Sequence, residues 1–222
     1  MLLDGDNLWI GTFSRGIDVY NTKTKSLTNY NSKSGNNNTL NDNCVFSLYK
    51  TSNGDIYAGT PVGLNKYNKA TNSFTPIESI VGFIYDIKED YSGNLWLATY
   101  GTGVIKLDAK SDKWVYYDRI LSGDNPIINS KLTSIYIDSQ RRILFSSEGK
   151  GIFIYDSKKD NFVNISESDG LPNNVVYGIL DDPFGNLWIS CNKGLACFNL
   201  SAPQNSILYN KEDGLQSNQF NY

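Results

Sequence analysis

Short apolar runs alternate with polar, turn-forming residues along the whole chain, and one run is present in five copies. Its clearest copy, at 185–190, reads Gly-Asn-Leu-Trp-Ile-Ser, and further copies lie at 6–11, 54–59 and 93–98, with a degenerate copy at 141–146. The anchor residues of the five copies are Trp9, Tyr57, Trp96, Leu144 and Trp188. They lie 48, 39, 48 and 44 residues apart, and self-similarity at such a period indicates a repeat architecture.

The last repeat predicts four short antiparallel strands. Residues 175–180 are rich in β-branched and aromatic residues, as in a buried strand, and proline and glycine mark a turn at 181–186. Further strands are predicted at 187–191, 195–199 and 206–209. The other repeats follow the same plan. Four such strands per unit of about 45 residues are typical of a propeller blade.

We therefore predict an all-β fold, with residues 1–222 forming a single β-propeller fragment of about five four-stranded antiparallel blades. The predicted blades are 1–40, 41–79, 80–127, 128–171 and 172–215, with 216–222 as the start of a further blade. Residues 2–4 look like the tail of a first strand, so we expect a piece of a larger, seven-bladed propeller. Its unpaired blade edges would favour self-association of two copies. An insertion loop is predicted at 31–39.

Composition narrows the function classes. The chain is 40% hydrophobic and 19% charged, as in soluble globular domains, and it carries a net charge of −3. No basic run offers a footprint for nucleic acid, and no apolar stretch of about 18 residues is present that could span a membrane. There is no histidine, which removes the commonest general base and the commonest zinc ligand. We expect no cofactor, no metal, and no nucleic-acid or membrane contact for this chain.

Two further features have competing interpretations. Cys191 and Cys197 flank the turn at 192–194, so a disulfide across a hairpin is one interpretation and two small thiols the simpler one. Carboxylates cluster in the turns at 4–6, 89–90 and 181–182. Turn hydrogen bonding is favoured over calcium binding there, because no loop has the ligand spacing of a dedicated site.

The direction of the strands predicts a ligand face. In each blade the loop before the first strand and the loop between the second and third strands open on the same side, because successive antiparallel strands reverse direction. Amides in these loops can bond the hydroxyls of a neutral or acidic sugar, and an aromatic ring can cover its apolar face. The predicted ligand-binding residues are Phe13, Arg15, Asn43, Tyr100, Ser130, Glu148, Lys150, Asn174, Asn192 and Asn218.

Structural roles compete with binding for several of these residues. Asn43 and its counterparts precede strands, where such side chains often bond their own backbone. Arg15 and Lys150 are also typical of solvated surface charges. The three repeat tryptophans are expected to pack between blades as core. Glu148 is the one carboxylate on the predicted face, whereas glycoside hydrolysis requires two facing carboxylates, so no catalytic residue is predicted.

The repeat resembles a known family. Residues 90–99 read Asp-Tyr-Ser-Gly-Asn-Leu-Trp-Leu-Ala-Thr, and residues 182–189 read Asp-Pro-Phe-Gly-Asn-Leu-Trp-Ile. Both resemble the regulator-propeller repeat found in the sensor region of hybrid two-component systems of Bacteroides-type gut bacteria. The stretch 212–222 is similar to the segment that enters the last blade in such proteins. The resemblance covers essentially the whole chain.

The resemblance implies a non-catalytic periplasmic sensor module that binds a glycan-derived ligand. In the parent, an inner-membrane protein, the signal would pass to a histidine kinase. The implied partners are an oligosaccharide, the missing blades and the kinase. This chain departs from the full family pattern, because it has no kinase segment, no DNA-binding segment and no histidine. A protein-interaction or dimerisation scaffold without its own small-molecule ligand is the alternative.

Overall fold

A computed structural model of the protein describes residues 1–32, 39–117 and 126–219. Within these ranges twenty strands form five four-stranded antiparallel sheets, each built from consecutive strands, which confirms the predicted all-β class. Most of the insertion loop predicted at 31–39 lies outside the described residues, as do residues 118–125 and 220–222.

The strands follow one another sheet by sheet. The first sheet contains β1 (Leu2–Asp4), β2 (Asn7–Gly11), β3 (Ile17–Asn21) and β4 (Leu27–Tyr30). The second contains β5 (Ser47–Lys50), β6 (Ile56–Thr60), β7 (Gly63–Asn68) and β8 (Ser73–Val81). The third contains β9 (Ile84–Glu89), β10 (Leu95–Thr99), β11 (Val104–Asp108) and β12 (Lys113–Tyr116). The fourth contains β13 (Leu132–Ile137), β14 (Ile143–Ser147), β15 (Ile152–Asp156) and β16 (Asn161–Ile165). The fifth contains β17 (Val176–Asp181), β18 (Leu187–Cys191), β19 (Gly194–Phe198) and β20 (Ile207–Tyr209).

The chain divides into two compact units, each with its own apolar core. The first unit is Met1–Tyr100 with Leu107–Lys113, and the second is Gly101–Lys106 with Trp114–Tyr222. A core cluster of the first unit is formed by Trp9, Ile17, Val19, Tyr30, Leu40, Val45, Ile56, Ala58 and Phe74. A core cluster of the second is formed by Leu144, Ile152, Leu171, Val176, Ile179, Leu187, Ile189, Ala196 and Phe198. That the chain is a single propeller fragment stays a prediction.

The recurring Asp-x-x-Gly-Asn-Leu-Trp run is a turn locked to its own tryptophan. Oδ1 of Asp90 accepts hydrogen bonds from the backbone amides of Ser92 and Asn94, at 2.8 and 3.0 Å. Its Oδ2 accepts from the Asn94 side chain and from the Trp96 indole, both at 2.8 Å. Asp182 repeats the arrangement, and its Oδ2 accepts from the Trp188 indole at 3.2 Å. One carboxylate therefore satisfies both the turn and the buried indole, which explains the spacing of the motif.

The repeat tryptophans lie at one register but differ in burial. Trp9 and Trp96 are buried, and Trp9 stacks on Tyr30 with ring centroids 5.8 Å apart. Trp188 is half-buried and stacks on Tyr209 at 5.7 Å. The core role predicted for these residues therefore describes Trp9 and Trp96 fully and Trp188 in part.

Pairs of tyrosines link neighbouring sheets inside each unit. In the second unit the hydroxyls of Tyr117 and Tyr155 both donate to Oδ1 of Asp160, at 2.6 and 2.5 Å. In the first unit Tyr30 and Tyr67 donate in the same way to Oδ1 of Asn72, at 2.7 and 2.6 Å. Burial raises the pKa of Tyr117, so it remains a protonated donor.

The three cysteines are free thiols. Cys191 pairs with Gly194 and Cys197 pairs with Trp188 in the β18–β19 ladder, so the two cysteines are not cross-strand partners. The thiol interpretation is thereby favoured over a disulfide. Burial raises the pKa of Cys191, as expected of an unreactive thiol.

Acid should destabilise the second unit through Asp181, which links the fourth sheet to the fifth. Its carboxylate accepts hydrogen bonds from the hydroxyl of Tyr136 and, at 2.9 Å, from the Ser139 amide. The Ser139 hydroxyl, the Tyr136 hydroxyl and this amide lower the pKa of Asp181 from 3.8 to about 2. Because the folded pKa lies below the unfolded value, the stabilisation is complete above about pH 4 and is lost as the pH falls through about 2.

Between pH 5 and pH 2 we expect the free energy of unfolding to fall by about 1 kcal/mol more in the wild type than in the Asp181→Asn variant, which has no carboxylate to protonate. The difference is smaller than the full pKa shift would give, because Asp181 is partly solvated. Urea unfolding of both proteins across this pH range measures the difference. Parallel pH profiles would contradict the assigned role of Asp181.

Candidate functional site

Five partly exposed aromatic rings meet on one side of the first unit. We call this set the aromatic platform, and its members are Phe13, Phe46, Phe83, Tyr85 and Tyr100. Phe13 follows β2 and Tyr100 follows β10, so each lies in a loop between second and third strands. Phe46 and Phe83 precede the first strands β5 and β9, and Tyr85 lies in β9. These are the two kinds of loop that the sequence predicts to open on one face.

The rings form a continuous chain of contacts. Phe13 meets Phe46 edge-on at 5.3 Å, and Phe46 meets Phe83 at 4.5 Å between ring centroids. Tyr85 stacks on Phe83 at 5.5 Å and on Tyr100 at 5.9 Å. Phe13 is the most open member, with 76% of its surface exposed. Partly exposed apolar rings in contact with each other are typical of a binding surface and not of a core.

Local backbone geometry positions these rings. The β9–β10 ladder changes register between Ala98 and Thr99, and the Tyr100 amide then donates to the Phe83 carbonyl at 2.9 Å. The Phe46 amide donates to the Gly59 carbonyl at 3.0 Å. Tyr100 is thereby held beside Phe83, and Phe46 is held at the entry to its strand.

A polar cleft of about 320 Å³ lies next to the platform in the same unit. It is lined by Ser14, Arg15, Asp18, Leu27, Asn29, Asn31 and Asn43. The Arg15 guanidinium donates from Nη2 to Oδ2 of Asp18 at 2.7 Å. The Asn29 side chain donates to the other carboxylate oxygen of Asp18 at 2.8 Å. The cleft therefore offers amides, a hydroxyl and one paired charge of each sign.

The loop 12–16 belongs to both the platform and the cleft, because it carries Phe13, Ser14 and Arg15. Within this loop the Thr12 hydroxyl donates to the Gly16 carbonyl and accepts from the Arg15 amide, both at 2.9 Å. The Gly16 amide donates to the Asn43 carbonyl, and the Val45 amide to the Thr12 carbonyl, both at 2.8 Å. These hydrogen bonds fix the backbone of the loop and so the relation between Phe13 and Arg15.

The asparagines that were predicted at one position before the first strands have a structural role. Oδ1 of Asn43 accepts from the Ser32 amide at 2.8 Å, and Oδ1 of Asn174 accepts from the Glu167 amide at 2.8 Å. Asn218 repeats this bond with the Lys211 amide at 2.7 Å. Ser130 is buried, and its hydroxyl has no hydrogen-bond partner among the described residues. The amide oxygens of this register therefore serve their own turns.

The remaining predicted residues lie in the second unit. Lys150 reaches back from Nζ to the carbonyl of Ile128 at 2.9 Å and to that of Pro126 at 3.3 Å. Asn192 accepts a hydrogen bond from the Tyr177 hydroxyl at 2.9 Å. Glu148 is exposed, and its amide donates to the Lys131 carbonyl at 2.8 Å. These contacts hold loops together, so the sequence-predicted residues of this unit form no platform of the kind seen in the first.

The structure thus brings Phe13 and Tyr100 together through rings that the sequence prediction missed. Phe46, Phe83 and Tyr85 had a detectable signal, because an aromatic residue opens or enters the first strand of two successive blades. Asp18 was also missed, since a carboxylate inside a strand gives no motif. Among the described residues, no three cysteines, aspartates or glutamates converge as a metal site.

The fold and its turn define a class of protein. Five four-stranded antiparallel sheets, two of which carry an aspartate–tryptophan turn, are β-propeller blades. Within this class, residues 39–61, 79–101 and 170–193 match the family described as two component regulator propeller. The chain therefore carries two-component regulator propeller repeats, as the resemblance predicted.

Relatives place these repeats in much longer proteins. The chain is 26% identical over 226 residues to histidine kinase P4 of Formosa agariphila, a match that covers 97% of this chain and 16% of that protein. The extracellular domain of a hybrid two-component system of B. thetaiotaomicron is 18% identical with a TM-score of 0.74, covering 98% of this chain and 29% of the other. Virginiamycin B lyase of Staphylococcus aureus is 15% identical with a TM-score of 0.63, covering 90% and 66%. The two structural likenesses concern the fold alone. No helix among the described residues is long and apolar enough to cross a membrane.

Proposed function

We propose that this chain is part of the extracytoplasmic sensor region of a two-component signalling protein, where it binds a glycan-derived ligand without transforming it. The repeats and the extracellular placement of the B. thetaiotaomicron relative support the sensor role. The aromatic platform carries the assignment of the ligand. Its contiguous, partly exposed rings match the apolar C–H face of a sugar, and the adjacent cleft matches the sugar hydroxyls.

Sensing requires binding and not turnover. A ligand that binds one arrangement of the sensor more tightly shifts the population toward that arrangement. The shift would then pass to the kinase of the complete protein. In keeping with this, the platform consists of carbon rings and two phenols. Asp18, the one acid among the described residues that line the cleft, is bonded to Arg15 and Asn29.

The platform assignment predicts that Phe13→Ala weakens glycan binding about tenfold, since a ring contact contributes about 0.5–1.5 kcal/mol beyond the area that it buries. Calorimetric titration of the 222-residue chain with a panel of oligosaccharides measures the change. Phe13 is highly exposed, so its removal should leave the thermal midpoint of the protein almost unchanged.

Phe184→Ala is the matched control, because Phe184 is an equally open phenylalanine, 86% exposed, on a turn of the second unit. It should bind every glycan as the wild type does. Equal weakening in both variants, or an unchanged affinity in Phe13→Ala, would contradict the platform. A wild-type chain that binds no glycan would overturn the proposed ligand class altogether.

A further inference from the structure

The cleft beside the platform contains a carboxylate that is almost closed to water. Asp18 lies in β3 and is 8% exposed. Both of its oxygens are used, since Oδ1 accepts from Asn29 and Oδ2 from Arg15. A buried carboxylate without a cation beside it is costly, and Arg15 supplies that cation.

The Arg15 guanidinium is already paired with Asp18, although most of the Arg15 side chain is exposed to solvent. Its side chain is 71% exposed, yet its guanidinium nitrogen lies 2.7 Å from Asp18. A ligand carboxylate or sulfate that drew the guanidinium away would leave the Asp18 charge buried without its partner. Only the Asp18 side of this pair is buried, but drawing the guanidinium away would still leave that carboxylate without its cation, so Arg15 is a poor anchor for an anionic ligand.

Asp18 also opposes an anion directly. Among the described residues that line the cleft, Arg15 is the one cation and Asp18 the one anion, so their charges cancel. The other polar lining groups are the amides of Asn29, Asn31 and Asn43 and the hydroxyl of Ser14. A ligand anion would meet a neutral pair and give up its hydration without a compensating charge. A hydroxyl group pays no such cost, because it carries no charge that must be stripped of water.

The loop 12–16 makes the cleft and the platform act on the same ligand. Phe13 and Arg15 are two residues apart, and the loop is pinned by hydrogen bonds to Asn43 and Val45. A sugar that covers Phe13 therefore has its neighbouring ring or substituents at the cleft. The charge preference of the cleft becomes the charge preference of the whole site.

We propose that this site selects uncharged oligosaccharides, and that the Arg15–Asp18 ion pair is the determinant that excludes glycans bearing carboxylate or sulfate groups. The inference rests on the proposed function and specifies its ligand class. Arg15 and Asp18 act here as specificity residues.

The test compares uronic-acid oligosaccharides with their carboxyl-reduced forms, which have the same linkages without the charge. The probes include β-1,4-mannuronan, β-1,4-glucuronan and galacturonan oligosaccharides together with neutral mannan and glucan fragments, titrated calorimetrically into the 222-residue chain. We expect the wild type to bind the neutral member of the recognised pair at least about tenfold more tightly. Asp18→Asn keeps the shape of the side chain and frees Arg15, so it should raise the ratio of acidic to neutral affinity about tenfold.

A double variant, D18N with R15Q, is the matched control and should lose the gain for the acidic glycan. Tighter or equal binding of the acidic member by the wild type overturns the inference while leaving the sensor proposal intact. Absence of binding to both members of every pair, and to the neutral fragments, overturns the proposed ligand class itself. The wild-type comparison decides between these outcomes even if Asp18→Asn does not fold.

Discussion

Trp96→Ala is expected to lower the free energy of unfolding by about 3–5 kcal/mol, the range for removing a large buried aromatic side chain. Trp96 is 0% exposed, and its indole donates to Asp90 at 2.8 Å. The truncation removes the packing of a full indole and leaves one lone pair of the Asp90 carboxylate without its donor. Urea unfolding monitored by far-ultraviolet circular dichroism measures the loss, because the signal does not depend on the deleted fluorophore.

Trp188→Ala is the matched control, since Trp188 occupies the same register of the repeat and bonds Asp182 in the same way, at 3.2 Å. It is only half-buried, so less apolar surface returns to water and the expected loss is about 1–2 kcal/mol. Equal losses in the two variants would mean that the turn bond, and not burial, stabilises the repeat. A loss below about 1 kcal/mol in Trp96→Ala would contradict the role of the tryptophan as core.

Gly16→Ala is expected to cost at least about 2 kcal/mol, because it combines backbone strain with a steric clash. Gly16 has a φ of +78°, and a Cβ added there would lie 2.0 Å from the carbonyl oxygen of Tyr30. The start of β3 must move away from the end of β4, where Tyr30 lies, to relieve that contact. Urea unfolding of the variant measures the cost, and glycan titration should show weaker binding, since the loop 12–16 carries Phe13 and Arg15.

Gly5→Ala separates the two causes. Gly5 also has a positive φ, +59°, but an added Cβ would find no atom within 4 Å. Its cost should therefore be about 1 kcal/mol, the strain of the backbone conformation alone. If Gly5→Ala destabilises the protein as much as Gly16→Ala, the close approach of the Tyr30 carbonyl is not the cause.

The repeat was readable from the sequence because each blade is a local structure. The turn at 90–96 is closed by one aspartate, and every atom in it comes from seven consecutive residues. Hydrophobic alternation places the strands, and glycine and asparagine place the turns, so the five sheets and their order follow from pattern alone. The predicted ligand loops also follow, since strand direction decides on which side a loop opens.

The candidate site was only partly readable, because its residues come from three separate sheets. Phe13 and Tyr100 were predicted from their loops. The rings that join them, Phe46 and Phe83, were missed, although each directly precedes the first strand of its blade. The asparagine register shows which of two roles the structure supports. Asn43 and Asn174 look like ligand amides by position, whereas each spends its side-chain oxygen on a backbone amide.

The sequence by itself determined the repeat, the all-β class, the turn chemistry and the resemblance to regulator-propeller repeats, because these depend on spacings within about 45 residues. Only the tertiary structure decided which polar and aromatic side chains remain available. Burial and pairing are properties of residues brought together from distant positions. Arg15 shows the difference: in the sequence it is one free charge, and in the folded protein it is half of an ion pair with an almost buried aspartate.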